Sequence, residues 1–142
     1  DLHSAIGIGQ MCRVDNLINA RQKIAQHYDN ELITCQRLIT PKVPVGTTHP
    51  FQAYVCRLDS GTANERDLLI QKLQSVGVQT RPGTHAVHRL PWHRRNLEFQ
   101  SNTLTASTMA HDTTIALPIF PSLTETEQHY VIEQIRVILK EL

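Results

Sequence analysis

Residues 78–88, with the sequence VQTRPGTHAVH, hold several side chains that could bind a ligand. Arg81 carries a planar, permanently charged guanidinium that suits phosphate or carboxylate. Thr84, His85 and His88 can donate hydrogen bonds. The Pro-Gly pair between them indicates a turn in which a ligand can approach the backbone closely. The segment is therefore either one wall of an anion or sugar-phosphate pocket, or a surface loop whose polar residues cap nearby helices.

Histidines and arginines near this segment suggest two further kinds of site. His85, His88 and His93 are close in sequence, but the chain has no HExxH motif and no Cys pair, so the spacing gives a metal site little support and we expect none. The run HRLPWHRR surrounds Trp92 with basic residues, a pattern that could bind single-stranded nucleic acid by stacking. The run is short and the formal net charge is only +1. These features favour a solvated loop anchored by Trp92 in the core, and no nucleic-acid partner.

Composition indicates one ordinary folded domain. The chain has 142 residues, 40% of them hydrophobic and 19% charged, which argues against disorder. No apolar run approaches the ~20 residues that span a bilayer, and no signal-peptide pattern opens the chain. Cys12, Cys35 and Cys56 lack CxxC spacing and are expected to be buried or half-buried thiols in a reducing compartment. We therefore expect a cytoplasmic protein without a membrane partner.

Apolar periodicity predicts a helix over residues 4–32, broken at most once, with Ser4 as its N-cap and its apolar stripe in the core. Residues 35–50 contain three prolines and are predicted to form a connector. The segment FQAYVCRL, residues 51–58, has apolar side chains on both faces and is predicted to form a central strand covered on both sides.

The second half of the chain carries clear start and stop signals. Two T-x-x-E boxes predict helix starts, and they span residues 62–65 and 124–127. Two further strands are predicted at VGVQT, residues 76–80, and TTIALPIF, residues 113–120, with irregular or weakly helical chain over 90–101 and a short helix over 103–110 between them. The predicted fold class is α+β, with a small, roughly three-stranded sheet covered by helices.

Four blocks of the sequence occur in an order that resembles a known family. The blocks are SAIGIGQMCRVDNLINARQKIAQHYDNEL, FQAYVCRL, ERDLLIQKLQSVGVQTRPGTHAVHRLP and MAHDTTIALPIFPSLTETEQHYVIEQI. They resemble the C-terminal part of the DegT/DnrJ/EryC1/StrS aminotransferases, and the resemblance covers nearly the whole chain. The most specific elements are the TRPGTHAVH loop and the LPxxPxLTExE ending.

The resemblance implies the small C-terminal domain of a fold-type I enzyme. Residues 1–35 would be a long helical segment leading into the small domain of residues 36–142. The chain lacks an initiator Met and enters a helical pattern within a few residues, so we expect it to be part of a longer protein. Members of the family are homodimers that use pyridoxal 5'-phosphate (PLP) to transfer an amino group, usually from glutamate, to a keto sugar nucleotide. Such reactions serve surface polysaccharide or antibiotic biosynthesis.

The resemblance also implies that the cofactor site lies outside this chain. The lysine that anchors PLP, the Asp that pairs the ring nitrogen and the phosphate-binding residues would all lie upstream of Asp1. We therefore expect no catalytic or cofactor-binding residue here, no PLP bound to this chain alone, and no activity without the missing domain.

The loop would lie on the substrate side of the active site, with Arg81, Thr84, His85 and His88 as candidate substrate-binding residues. His88 matches the second His of the family loop, whereas Gly83-Thr84 stands where many members carry His-Tyr or His-Phe. Two other functions remain open: a PLP-dependent sugar dehydratase of the same family, and a stand-alone regulatory module that binds a small ligand.

Overall fold

The computed structural model of the chain describes residues 1–96 and 104–142, and the end of the irregular segment and the start of the 103–110 helix lie outside them. Within these residues, the chain forms helices and short strands. In chain order the elements are α1 Leu2–Met11, α2 Val14–Leu32, β1 Leu38–Ile39, β2 Tyr54–Leu58, α3 Ala63–Ser75, β3 Arg81–Pro82, a 3-10 turn at Val87–Arg89, α4 Pro91–Asn96, α5 Thr105–Thr113, β4 Thr114–Leu117 and α6 Glu125–Glu141.

The strands form one four-stranded sheet in the order β1-β2-β4-β3. Strand β4 pairs antiparallel with both β2 and β3, so β2 and β3 run parallel to each other on either side of it. The unit β2-α3-β3 therefore crosses over a position that the later strand β4 fills. The fold is α+β as expected, with four strands rather than three.

The core forms where one face of the sheet meets the helices. Tyr54, Cys56 and Leu58 alternate along β2 and are at most 1% exposed. Helices α2, α3 and α6 pack against them through fully or almost fully buried side chains, among them Tyr28, Leu69 and Ile132. Each large apolar side chain buried in this way stabilises the fold by roughly 1.5–3 kcal/mol.

Both predicted capping boxes are confirmed. The hydroxyl of Thr62 accepts a hydrogen bond from the Glu65 backbone N–H, while the Glu65 carboxylate accepts from the Thr62 N–H. Thr124 and Glu127 make the same reciprocal pair at the start of α6. The helices therefore begin where the sequence places them, and α3 ends before Gly77, whose φ of +81° suits glycine.

Several local predictions are wrong. The strand expected at residues 76–80 lies later, at Arg81–Pro82, because residues 77–80 cross from the end of α3 to the edge of the sheet. The connector contains the extra strand β1, whose two residues are too few to produce a periodic signal. The first helix begins at Leu2, so Ser4 is not its N-cap, and the helical segment breaks at residues 12–13.

The exposure of α1, Trp92 and Cys12 also differs from the expectation. No residue of α1 is buried, and Ile8 and Met11 are 68% and 67% exposed, so the apolar stripe enters the core only within α2. Trp92 is 63% exposed and does not anchor α4 in the core. Cys12 is exposed, whereas Cys35 is half-buried and Cys56 is buried. Within the described residues, no helix is both long and apolar enough to cross a bilayer.

Candidate functional site

The candidate loop leaves the sheet at a fixed point. Arg81 and Pro82 pair with Ala116 and Ile115 of β4, and the next N–H, that of Gly83, donates to the Thr114 carbonyl at 3.0 Å. A Cβ at Gly83 would lie 2.8 Å from the Thr114 Cβ, so only glycine fits here without displacement. The direction in which the loop starts is therefore set by close packing against β4.

Helix α5 holds the loop by side chains. The His111 Nδ1 accepts a hydrogen bond from the Ala86 backbone N–H at 3.1 Å, and the His88 Nε2 lies 3.1 Å from the Thr108 hydroxyl. Around residues 86–89 the loop turns through one 3-10 turn. These contacts attach residues 86–88 of the loop to α5.

An ion pair extends the same attachment. The Arg89 Nη1 donates to the Asp112 Oδ1 at 2.5 Å, and Asp112 directly follows the His111 that holds the Ala86 backbone. Exposed ion pairs contribute little energy by themselves. Here the pair adds a third link between the loop and one face of α5, so it restricts the loop's orientation.

Helix α5 is itself anchored by a buried cation. The side chain of Arg66, on α3, is 5% exposed and donates from Nη1 to the carbonyls of His111 at 2.8 Å and Thr114 at 3.3 Å. Its Nε donates to Asp67 at 2.6 Å. A buried charge needs such partners. Arg66 therefore fixes the junction between α5 and β4, on which the loop depends.

The four predicted site residues lie in two separate places in the structure. Thr84 and His85 are exposed, and His88 is half-buried against α5. The ring centroid of His85 lies 5.9 Å from that of His111. Arg81 is exposed at the other end of the short strand, where it lines a separate cleft.

The cleft has a volume of about 740 Å³ and lies between the end of β4, the first turns of α6 and the chain before β3. Most of its lining is apolar, with Val78, Ile119 and Phe120 among the contributing side chains. Arg81 is among the lining residues and supplies a cation that could bind an anionic group. Thr84, His85 and His88 do not line it.

The residues of α5 that position the loop have no signal in the sequence that assigns them this role. His111, Thr108 and Asp112 lie about 20–25 residues after the loop, and no spacing rule connects them with it. Within the described residues, no group of three or more His, Cys, Asp or Glu side chains could hold a metal ion. The Cys56 thiol in the core is expected to be unreactive, because burial raises its pKa and keeps it protonated.

Comparisons with known proteins match this architecture to one group. The DegT/DnrJ/EryC1/StrS aminotransferase family matches the chain over residues 1–136. The chain belongs to this family. The GDP-perosamine synthase of Caulobacter vibrioides is 33% identical over 92 residues, which cover 64% of this chain and 25% of that protein.

Solved structures agree with this assignment. The aminotransferase TlmJ from Streptoalloteichus hindustanus superposes with a TM-score of 0.83 and 27% identity, over 96% of this chain and 35% of TlmJ. The PLP form of Spr1654 from Streptococcus pneumoniae has a TM-score of 0.87 at 23% identity, over 95% of this chain and 34% of that one, and supports the fold. The chain therefore spans about a quarter to a third of the lengths of these relatives.

The chain's own lysines do not fit the role of a PLP anchor. A lysine that attacks an aldehyde must lose its proton, which requires burial or a neighbouring cation. Lys23, Lys42 and Lys140 are exposed, and Lys72 pairs with the Glu141 carboxylate at 2.8 Å. No lysine lines the larger cleft. The residues present therefore offer no anchor for the cofactor.

Proposed function

We propose that this chain is the small-domain part of a PLP-dependent aminotransferase that aminates a keto sugar linked to a nucleotide, with glutamate as the amino donor. The observation that carries the proposal is the family match over residues 1–136, which includes the α5-supported loop. The name of the related GDP-perosamine synthase supports a nucleotide-linked sugar as substrate. The amino-sugar product would serve polysaccharide or antibiotic biosynthesis.

The loop's contribution would be recognition. Thr84 and His85 project from an ordered backbone and can donate hydrogen bonds to sugar hydroxyls or phosphate oxygens. Arg81 would bind an anion, either a phosphate of the sugar nucleotide or the carboxylate of the donor. His88, held against Thr108, would set the end of the loop and is a candidate for contact with the substrate there.

The chemistry of transfer would come from elsewhere in the longer protein. PLP supplies the electron sink for moving the amino group, and the rest of the protein or a second subunit would bind it. The proposal includes a homodimer in the cytoplasm. The exposed apolar side chains of α1, such as Ile8 and Met11, are consistent with a covering partner domain or subunit in that assembly.

The test uses the longest natural form of the protein that carries this chain. We expect it to convert bound PLP to the amino form of the cofactor when glutamate is added, and then to aminate a keto sugar nucleotide. Loss of water from the sugar without amination would instead indicate the dehydratase of the same family. Failure of both reactions across guanosine-, uridine- and thymidine-linked keto sugars would overturn the proposal.

Arg81→Ala and His85→Ala test the loop in the same assay. Loss of one charge-assisted hydrogen bond should raise the KM for the sugar nucleotide or for glutamate on the order of tenfold. Arg94→Ala, an exposed arginine of α4 outside the loop, is the matched control and should leave both values unchanged. Unchanged kinetics for Arg81→Ala would remove Arg81 from the site.

A further inference from the structure

One link between the loop and α5 acts on the loop's backbone. The Ala86 N–H donates to the His111 Nδ1 at 3.1 Å, whereas the other two links join side chains. Ala86 is only 2% exposed. Water therefore cannot readily replace His111 as the acceptor, and the loss of this bond would leave a buried donor unsatisfied.

This hydrogen bond requires one protonation state of His111. A neutral imidazole accepts at one nitrogen and donates at the other, so acceptance at Nδ1 places the ring proton on Nε2. A protonated imidazole donates at both nitrogens. Its Nδ1–H would then face the Ala86 N–H, and the attraction would become a repulsion between two donors.

Charged and titratable groups lie near His111 on α3 and on the loop. From α3, Arg66 donates to the His111 carbonyl and is paired with Asp67. From the loop, the ring of His85 lies 5.9 Å away between centroids. The Arg89–Asp112 ion pair and the contact of His88 with Thr108 also join the loop to α5 near His111.

We propose that His111 is a positioning residue: with an unprotonated Nδ1 it holds the Ala86 backbone and presents Thr84 and His85 to the ligand, and its protonation releases the loop. The Ala86–His111 geometry carries this inference. It rests on the proposed function only for the identity of the ligand.

Nuclear magnetic resonance of the 142-residue chain tests the hydrogen bond directly. At pH 8 we expect a through-hydrogen-bond coupling between the Ala86 nitrogen and the His111 Nδ1. As the pH falls, this coupling should disappear with the protonation of His111, and the backbone signals of Thr84 and His85 should move with the same midpoint. Loop signals that stay unchanged while His111 protonates would overturn the proposal.

Three substitutions of His111 distinguish the effect of losing the hydrogen-bond acceptor from the effect of losing the ring. The amide oxygen of His111→Asn stands as many bonds from Cβ as Nδ1 does, accepts a hydrogen bond and does not titrate, so it should keep the loop ordered and remove its pH response. His111→Gln places its oxygen at the Nε2 distance, and His111→Phe keeps a ring without an acceptor. Both should speed hydrogen exchange at the Ala86 amide by about tenfold. Equal exchange in the Asn and Phe variants would contradict the proposal.

Binding and catalysis provide a second readout. GDP and inorganic pyrophosphate serve as probes, and their binding is followed through the Thr84 and His85 signals. We expect the Phe variant to bind the probes about tenfold more weakly and the Asn variant to bind them as the wild type does. In the longer enzyme, the Phe variant should raise the KM for the sugar nucleotide with little change in kcat. A fall in kcat at unchanged KM would refute the positioning role. Failure of amination would refute the proposed function alone, since the exchange measurements decide the role of His111 without it.

Discussion

At the scale of single residues, the candidate site depends on two positions that are not among the proposed substrate-binding residues. Arg66 satisfies two carbonyls at the junction of α5 and β4, and Gly83 allows the loop to pass close to Thr114. Neither role is visible in the sequence, because each depends on contacts between segments distant along the chain. The sequence did single out the loop as a candidate, since residue type and turn chemistry are local properties.

Arg66→Met should reduce the free energy of unfolding by about 2–4 kcal/mol, because it leaves the His111 and Thr114 carbonyls without their buried donor. Urea unfolding at pH 7.5 would measure the loss. Arg95→Met, an exposed arginine of α4, is the control and should change stability by less than about 0.5 kcal/mol. Equal stability of the two variants would contradict the anchoring role of Arg66.

Gly83→Ala should destabilise the chain by about 1–3 kcal/mol and shift the backbone signals of residues 83–86, because the new Cβ would overlap Val55 and Thr114. The matched control is Gly7→Ala in α1, where a Cβ meets nothing within 4 Å. This control should be neutral or slightly stabilising, since alanine favours helix. A neutral Gly83→Ala in the same urea unfolding series would show that the loop exit adapts easily.

At the scale of elements, the sequence predicts the start of a helix correctly where a capping box marks it. Both capping boxes mark the starts of α3 and α6 within one residue. The strand predicted at residues 76–80 was misplaced, because an apolar alternation cannot show which part of a segment reaches a partner strand. The pairing of β3 with β4 was therefore beyond local inference.

The two capping boxes also predict a pH dependence of stability. The Arg37 guanidinium and the Thr62 cap lower the pKa of Glu65, and the Thr124 backbone N–H and hydroxyl lower the pKa of Glu127. A lowered folded pKa gives stability that is complete above the unfolded value near 4.5 and is lost as the pH falls through the folded value.

Urea unfolding between pH 6 and 3 should therefore show falling stability below about pH 4.5. Glu127→Gln should flatten part of this fall because it removes one titrating carboxylate. Glu125→Gln, in the same turn of α6 but outside the cap, is the control and should leave the profile unchanged. A Glu127→Gln profile that matches wild type would show that the cap does not couple to pH.

At the scale of the whole molecule, the chain is a folded core with one apolar element left outside it. The sheet, α2, α3 and α6 share a continuous cluster of buried side chains, and α1 contributes none. Composition and periodicity predicted a core and an apolar stripe, but they could not show which part of the stripe this chain buries. That depends on what packs against α1, none of whose residues is buried within this chain.

Helix α1 should therefore be marginal in the isolated chain, since a ten-residue helix without packing is unstable in water. Hydrogen exchange should show little protection over residues 2–11 and strong protection around Ile132. Ile8→Ala should change the free energy of unfolding by less than about 0.5 kcal/mol, whereas Ile132→Ala should cost about 2–5 kcal/mol. Strong protection of α1 in the monomeric chain would contradict this division.

We propose that this chain supplies part of the substrate wall of an aminotransferase but not its cofactor anchor. The most direct test is borohydride reduction of the longer protein and of this chain, each with PLP, followed by peptide mass mapping. We predict stoichiometric labelling of one lysine outside these 142 residues in the longer protein. We predict no stoichiometric label on Lys23, Lys42, Lys72 or Lys140 in either sample. Stoichiometric labelling of any of these four lysines would contradict the account.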